Sequence, residues 1–203
     1  MNVYVESNFV LELALRQEQF TSCETILTLC EKGQTRLVVP AYALAEPYDT
    51  LGRREKQRKR MKQELDQELG QIARTDTYAD RRHEFRDLTA LLINVTDEAI
   101  RRLEEVRSRL MEAAEIIPLD LHVLTASTKL QRVHDFSAQD ALIYASVLSH
   151  PERVHAGESC FLNRNSKDFD DQNVVDELRA YNCKLLPRFD SGCQFILNVL
   201  GGS

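Results

Sequence analysis

The sequence predicts an α/β fold in which a central parallel sheet is flanked by helices and carries a helical insertion or arm. Short β-rich apolar runs alternate with longer segments of helical apolar spacing, the rhythm that builds β-α-β units. Seven glycines and five prolines among 203 residues leave little chain for linkers. One stretch, about residues 50–116, reads as helix throughout and marks the insertion. The expectation is therefore a single domain over residues 1–203 with a helical elaboration at about 50–116.

The elements follow in order. Val3–Val5 is a short β-rich run, and Phe9–Arg16 and Phe20–Glu31 have apolar residues at helical intervals. Gly33 supplies a helix stop before a strand at Arg36–Val39. Pro40 closes that strand and a long helix follows, in which Pro47 is expected in the first turn, where its missing N–H costs nothing. In the middle region Thr96, Asp97 and Glu98 form a helix-start signal, ahead of an apolar stripe at Ile100, Leu103, Val106 and Leu110. A helical hairpin is the simplest account. Leu121–Val133 is helix-like, and Ser137 caps a nearly all-apolar helix through Leu148. Ser159–Leu162 reads as a buried strand, Val174–Ala180 as a helix and Lys184–Leu186 as a last short strand. The apolar stretch Cys193–Leu200 is a final helix, packing on the core or on a neighbouring molecule.

Composition excludes several classes. With 43% hydrophobic and 29% charged residues the chain can bury a real core. The absence of a basic leader and of some eighteen consecutive apolar residues argues against secretion and membrane spanning. Five cysteines, odd in number and without a CxxC pair, read as buried small hydrophobes of a reducing compartment, so a cytoplasmic location is expected. The five histidines are dispersed and favour structural roles over a zinc site.

Three acids stand where strand ends and helix starts would deliver them: Glu6 in VYVESN, Glu46 in VVPAYALAEPY and Asp140 in FSAQDALIYASV. An amide-rich turn, FLNRNSKDF, follows. Parallel sheets collect ligands beyond the carboxyl ends of their strands, and Glu6 and residues 163–165 fall at such ends. Oxygen ligands suit a hard divalent cation, which points to phosphate-ester chemistry. Each acid also has a plainer reading. Asp140 lies at the capping-box interval from Ser137, Glu6 could be a solvated strand-end residue, and Glu46 could complement a helix dipole. Asp168, Asp170 and Asp171 read first as turn and helix-start acids.

Taken in order, VYVESNFVLEL, VVPAYALAEPYDTL, FSAQDALIYASVL and CFLNRNSKDF resemble the motif series of PIN-domain nucleases, including the VapC-type toxins of bacterial toxin–antitoxin pairs. The resemblance covers roughly residues 1–50 and 115–190 and leaves the helical middle unexplained. It implies a PIN-like fold and metal-dependent hydrolysis of RNA phosphodiester bonds with Mg²⁺ or Mn²⁺. Residue by residue, the family's first acid falls on Glu6, with Ser7 and Asn8 as supporting hydroxyl and amide. The second acid falls on Glu46, the third on Asp140 and the fourth position on Asn165, with Asp168 close by. The resemblance thus implies Glu6, Glu46 and Asp140 as metal ligands, Asn165 completing the catalytic set, and Ser7, Asn8 and Asp168 in support. Two departures stand out: Glu6 occupies a position that is usually Asp, and Asn165 brings no charge.

The run RREKQRKRMK carries seven basic residues, Arg53, Arg54, Lys56, Arg58, Lys59, Arg60 and Lys62, in a chain of net charge −6. A local positive surface would attract a phosphate backbone without reading its bases. The competing reading is a solvated helix face whose charges pair with Glu55, Glu64, Asp66 and Glu68 at helical spacing. Three functions are consistent with these features. The first is an endoribonuclease, acting as a toxin or an RNA-processing effector; the second is a catalytically impaired PIN-fold module that binds RNA or protein. The third is an interaction protein whose charged helical arm mediates assembly. Expected partners are RNA, an antitoxin or other protein, and a second copy in a homodimer, but no membrane.

Overall fold

The computed structural model describes residues 1–75, 82–153, 158–165, 169 and 171–202, with the backbone course alone at 82–86 and 151–153. Five strands form one sheet: β1 (Asn2–Val5), β2 (Arg36–Pro40), β3 (Glu115–Ile117), β4 (Ser159–Leu162) and β5 (Cys183–Leu186). Their order is β3-β2-β1-β4-β5, and every neighbouring pair is parallel. The expected α/β architecture is therefore present. The short strand β3 escaped the sequence reading because its three residues, Glu-Ile-Ile, are too few to show alternation.

Side-chain alternation along the strands divides the core into two layers. Val3, Val5, Leu37, Val39, Cys160 and Leu162 point to one face, while Tyr4, Val38 and Phe161 point to the other. Both faces are covered, which is why these strands are apolar at nearly every position. Helices α1 (Ser7–Leu15), α2 (Phe20–Glu31), α3 (Ala41–Ile72), α4 (Arg82–Ala113) and α8 (Phe189–Gly201) supply the first layer. Helices α5 (Leu121–His134), α6 (Ala138–Arg153) and α7 (Gln172–Ala180) lie toward the second. The C-terminal helix packs on α2 within the core.

Local signals account for many of the boundaries. Gly33 has φ 69°, and the bonds Gly33 N to Cys30 O (2.8 Å) and Gln34 N to Leu29 O (2.9 Å) close α2 with a Schellman motif. The five cysteines are free and buried. Buried His150 faces Tyr4 Oη at 2.8 Å and Glu115 Oε1 at 3.2 Å, a structural role. Among the described residues no helix is long and apolar enough to cross a membrane.

The middle of the chain is a helical hairpin of two 32-residue helices, each about 48 Å long at 1.5 Å per residue. Its near half belongs to the core. Leu51, Ala99, Leu103, Val106 and Leu110 are buried, and Arg102 Nε donates to Ala14 O (2.9 Å) at the end of α1.

The structure corrects two expectations. Thr96 does not start a helix: α4 runs through it, and its buried hydroxyl donates back to Leu92 O (3.2 Å) while accepting from Arg58 Nη1 (2.8 Å). A cap residue inside a continuing helix spends its oxygen this way. Pro47 is not in a first turn either. It is the seventh residue of α3, beyond the orphan N–H positions, so the helix forgoes one internal bond at a buried position.

Candidate active site

β1 ends at Val5 and hands the chain to α1 through Glu6, which is the N-cap (φ −116°, ψ −178°). β4 lies beside β1 and ends at Leu162. The chain order reverses between these two strands, so the crevice at their carboxyl ends is the topological switch point where α/β sheets bind ligands. Glu6, Asn163, Arg164 and Asn165 all emerge there.

Glu6 is only 4% exposed. Its Oε2 accepts from Asn8 N (2.7 Å) and its Oε1 from Arg164 N (3.2 Å), so one carboxylate ties the first turn of α1 to the loop after β4. Burial pushes its pKa up to about 7; the N–H donors of Asn8 and Arg164 pull it down, and the negative charge of Glu46 pushes it up again. The buried Ser7 hydroxyl donates to Glu46 Oε2 in the second turn of α3, which brings the first two acids into one cleft.

Asp140 starts from a cap. Asp140 N donates to Ser137 Oγ (3.1 Å), and that hydroxyl donates back to Asp140 Oδ2 (2.5 Å). The other oxygen, Oδ1, accepts from Asn165 Nδ2 (3.2 Å). The cap thus uses one carboxylate oxygen and the contact with Asn165 the other. Asn165 is itself held by Asn163 Oδ1, which accepts from Asn165 N (2.8 Å), while buried Asn163 hangs from Leu186 O (3.1 Å). An aromatic cluster lies close by: Phe169 N donates to Asn165 O (3.3 Å), and the Phe169 ring stacks on Phe136 at 4.7 Å.

Burial first, and then the charges of Glu46, Asp49 and Asp140, hold the Tyr42 hydroxyl above the ordinary tyrosine range. The donor set is all oxygen and suits a hard cation in kind. Among the described residues, however, no three of His, Cys, Asp and Glu converge closely enough to hold a metal ion as they stand. The acids are instead spread into Glu6 with Glu46 and Asp140 with Asn165. A carboxylate has about four acceptor positions, so each acid keeps capacity beyond the bonds it makes.

Asp168 lies outside the described residues, as does Asp170. Asp171 caps α7 by accepting from Asn173 N (3.0 Å), the helix-start role expected of it.

A family model described as a PIN domain matches residues 3–169 of this sequence. The chain belongs to the PIN-domain family. PIN domains are in general nucleases that bind RNA and use divalent metals. The match runs through the long helical middle, which the four-motif resemblance had left out. No curated protein and no solved structure matches the chain.

In this PIN domain the basic run divides in two. Lys59 pairs with Glu55 (2.5 Å), Arg60 with Glu64 (2.9 Å) and Lys62 with Asp66, while Arg58 is spent on Thr96. These solvent-exposed pairs add little stability, but they tie the charges to the helix. Arg53 stands two turns after Glu46 on the same face of α3, its guanidinium donating to Thr50 Oγ1 (3.3 Å) and unpaired with any carboxylate among the described residues. Arg54 and Lys56 are its close neighbours along the helix.

Sequence reasoning missed Glu12 and Arg164. Glu12 is 1% exposed and its Oε2 meets Arg164 Nη1 at 2.7 Å. The signal was present: Glu12 is the single acid inside the apolar run Phe9–Leu15.

Proposed function

We propose that this PIN domain is a metal-dependent endoribonuclease, acting as a toxin or an RNA-processing effector, whose catalytic set is Glu6, Glu46, Asp140 and Asn165. One observation supports the reading: Glu6 and Ser7, whose hydroxyl holds Glu46, follow the end of β1, and Asn165, which holds Asp140, follows the end of the neighbouring β4 at the switch point. Glu6, Glu46 and Asp140 would hold Mg²⁺ or Mn²⁺. When bound, the cation polarises the scissile phosphate, lowers the pKa of water and neutralises charge on the leaving oxygen.

The chain's own residues do the rest. Ser7 orients Glu46, Asn8 N and Arg164 N orient Glu6, and Asn165 orients Asp140. Glu6, with its pKa raised to about 7, can take or hold a proton near neutrality. Arg53, with Arg54 and Lys56, would draw the RNA backbone toward the cleft, whereas Arg58, Lys59, Arg60 and Lys62 contribute a weaker background. Asp168, three residues after Asn165 in the sequence, would support the site. An antitoxin and a second copy are the protein partners this reading anticipates.

A binding module without efficient catalysis is the second reading. It is favoured by the uncharged Asn165 and by the engagement of each acid with protein donors in place of a formed three-acid cluster. Incubation of purified protein with pooled structured and single-stranded RNAs in Mg²⁺, Mn²⁺ or EDTA, beside Asp140→Asn, separates the two. Metal-dependent cleavage lost in the variant supports the nuclease; RNA retention without cleavage in either metal supports the module.

A further inference from the structure

Around the crevice, one residue touches the site with its backbone and the interior with its side chain. Arg164 N donates to Glu6 Oε1 (3.2 Å), and Arg164 Nη1 meets Glu12 Oε2 (2.7 Å). Glu12 lies on α1, 1% exposed, and its other oxygen accepts from Gln19 N in the α1–α2 connection. Gln19 is also buried, and its Oε1 accepts from Phe189 N (2.7 Å) and Asp190 N (3.1 Å) at the start of α8. A continuous set of charge-assisted and neutral hydrogen bonds therefore runs from α8 through Gln19, Glu12 and Arg164 to Glu6.

We propose that Arg164, locked by Glu12, is a positioning residue of the site: it fixes the loop after β4 so that its own N–H meets Glu6 and the next residue meets Asp140. The proposal rests on the nuclease reading and adds residues that the acidic motif does not contain. Flanking Arg164, Asn163 and Asn165 form a tight turn through Asn163 Oδ1, so a shift of Arg164 moves Asn165 and its contact with Asp140 together. One anchor thereby serves both halves of the cleft. Stability alone is a weak reason for the pair, because the cost of desolvating the Glu12 carboxylate offsets much of its attraction to a partly exposed arginine. Arg164 Nη2 adds a longer contact to Glu18 Oε2 (3.4 Å) on the exposed side, which leaves the buried Glu12 as the main anchor.

The test uses the full chain with Arg164→Met, Arg164→Lys and the pair Glu12→Gln with Arg164→Met, in which the amide oxygen still accepts from Gln19 N. Backbone amide exchange at residues 164 and 165 is followed by NMR, with melting temperature and single-substrate RNA kinetics alongside. Arg164→Met should speed exchange at both amides about tenfold or more and lower kcat about 10- to 100-fold, with KM changed less than about threefold. Arg164→Lys should recover part of both, since it restores the charge without the fork. The double variant should regain melting temperature yet keep the fast exchange and the low kcat. Unchanged exchange in Arg164→Met, or a double variant whose kcat returns with its stability, would overturn the proposal. If the wild-type protein cleaves no RNA, the nuclease reading fails by itself, and amide exchange still decides whether Arg164 fixes the loop.

Discussion

Glu6 couples the site to folding stability, and its replacement by glutamine makes the coupling measurable. The unfolded carboxyl titrates near 4.5 and the folded one near 7, because the side chain is 4% exposed and lies beside Glu46. Between those values the folded protein holds a proton that the unfolded chain has released, so stability falls as pH rises. The gap between 4.5 and about 7, at about 1.36 kcal/mol per pH unit, corresponds to on the order of 3 kcal/mol, fully expressed above pH 7 and absent below pH 4.5. The amide of the Glu6→Gln variant does not titrate. Its nitrogen would face an N–H of Asn8 or Arg164, a penalty of about 1–3 kcal/mol that is the same at every pH and cancels from the trend. The assay is urea unfolding of both proteins in EDTA, from about pH 4.5 to 8. The stability of Glu6→Gln relative to wild type should climb by roughly 3 kcal/mol across that range. A difference that stays flat within about 1 kcal/mol, or that shrinks with rising pH, would refute the claim that Glu6 is held as a costly buried anion.

Four further outcomes follow from the same geometry. Glu6→Asp should lower RNA cleavage by about tenfold or more, because a side chain one methylene shorter cannot span from Asn8 N to Arg164 N; initial rates in Mn²⁺ check this, and a rise in rate would mean that the longer acid is a defect. Binding of Mg²⁺ or Mn²⁺ near pH 6 should release close to one proton from Glu6 and none near pH 9, as read by calorimetry in buffers of different ionisation enthalpy. Arg53→Gln should weaken binding of catalytically silent Asp140→Asn protein to RNA more than Arg60→Gln does, since Arg60 is paired with Glu64; fluorescence anisotropy at two salt concentrations tests the order. Phe136→Ala should cost about 3–5 kcal/mol of stability in urea unfolding, because the ring is buried and stacks on Phe169 beside Asn165.

Much of the fold was legible because its signals are local. Apolar runs such as Val3–Val5 and Ser159–Leu162 have to be buried on both faces, and Gly33 has to terminate a helix with positive φ. Thr96 and Pro47 misled for the complementary reason. Each has a strong local preference, for a cap and for a first turn, and the packing of α3 against α4 and the core overrode both. The three residues of β3 gave no period to read and became a strand only by pairing with β2.

The candidate site divides along the same line. Residue chemistry picked out Glu6, Glu46 and Asp140 as candidates, and only the ordered set of four motifs, through its resemblance to PIN domains, set them above their plainer readings and added Asn165. Which of them meet was a tertiary matter: Ser7 reaching Glu46 across 39 residues, Asn165 reaching Asp140, and Glu6 catching the N–H of Arg164 at a separation of 158. The sequence by itself determined the alternation of strands and helices and offered the candidate acids, since both depend on side-chain type and short-range spacing. Only the tertiary structure decided that Glu12 anchors Arg164 and that Glu6 is desolvated, because burial and distant partners exist only once the strands lie side by side.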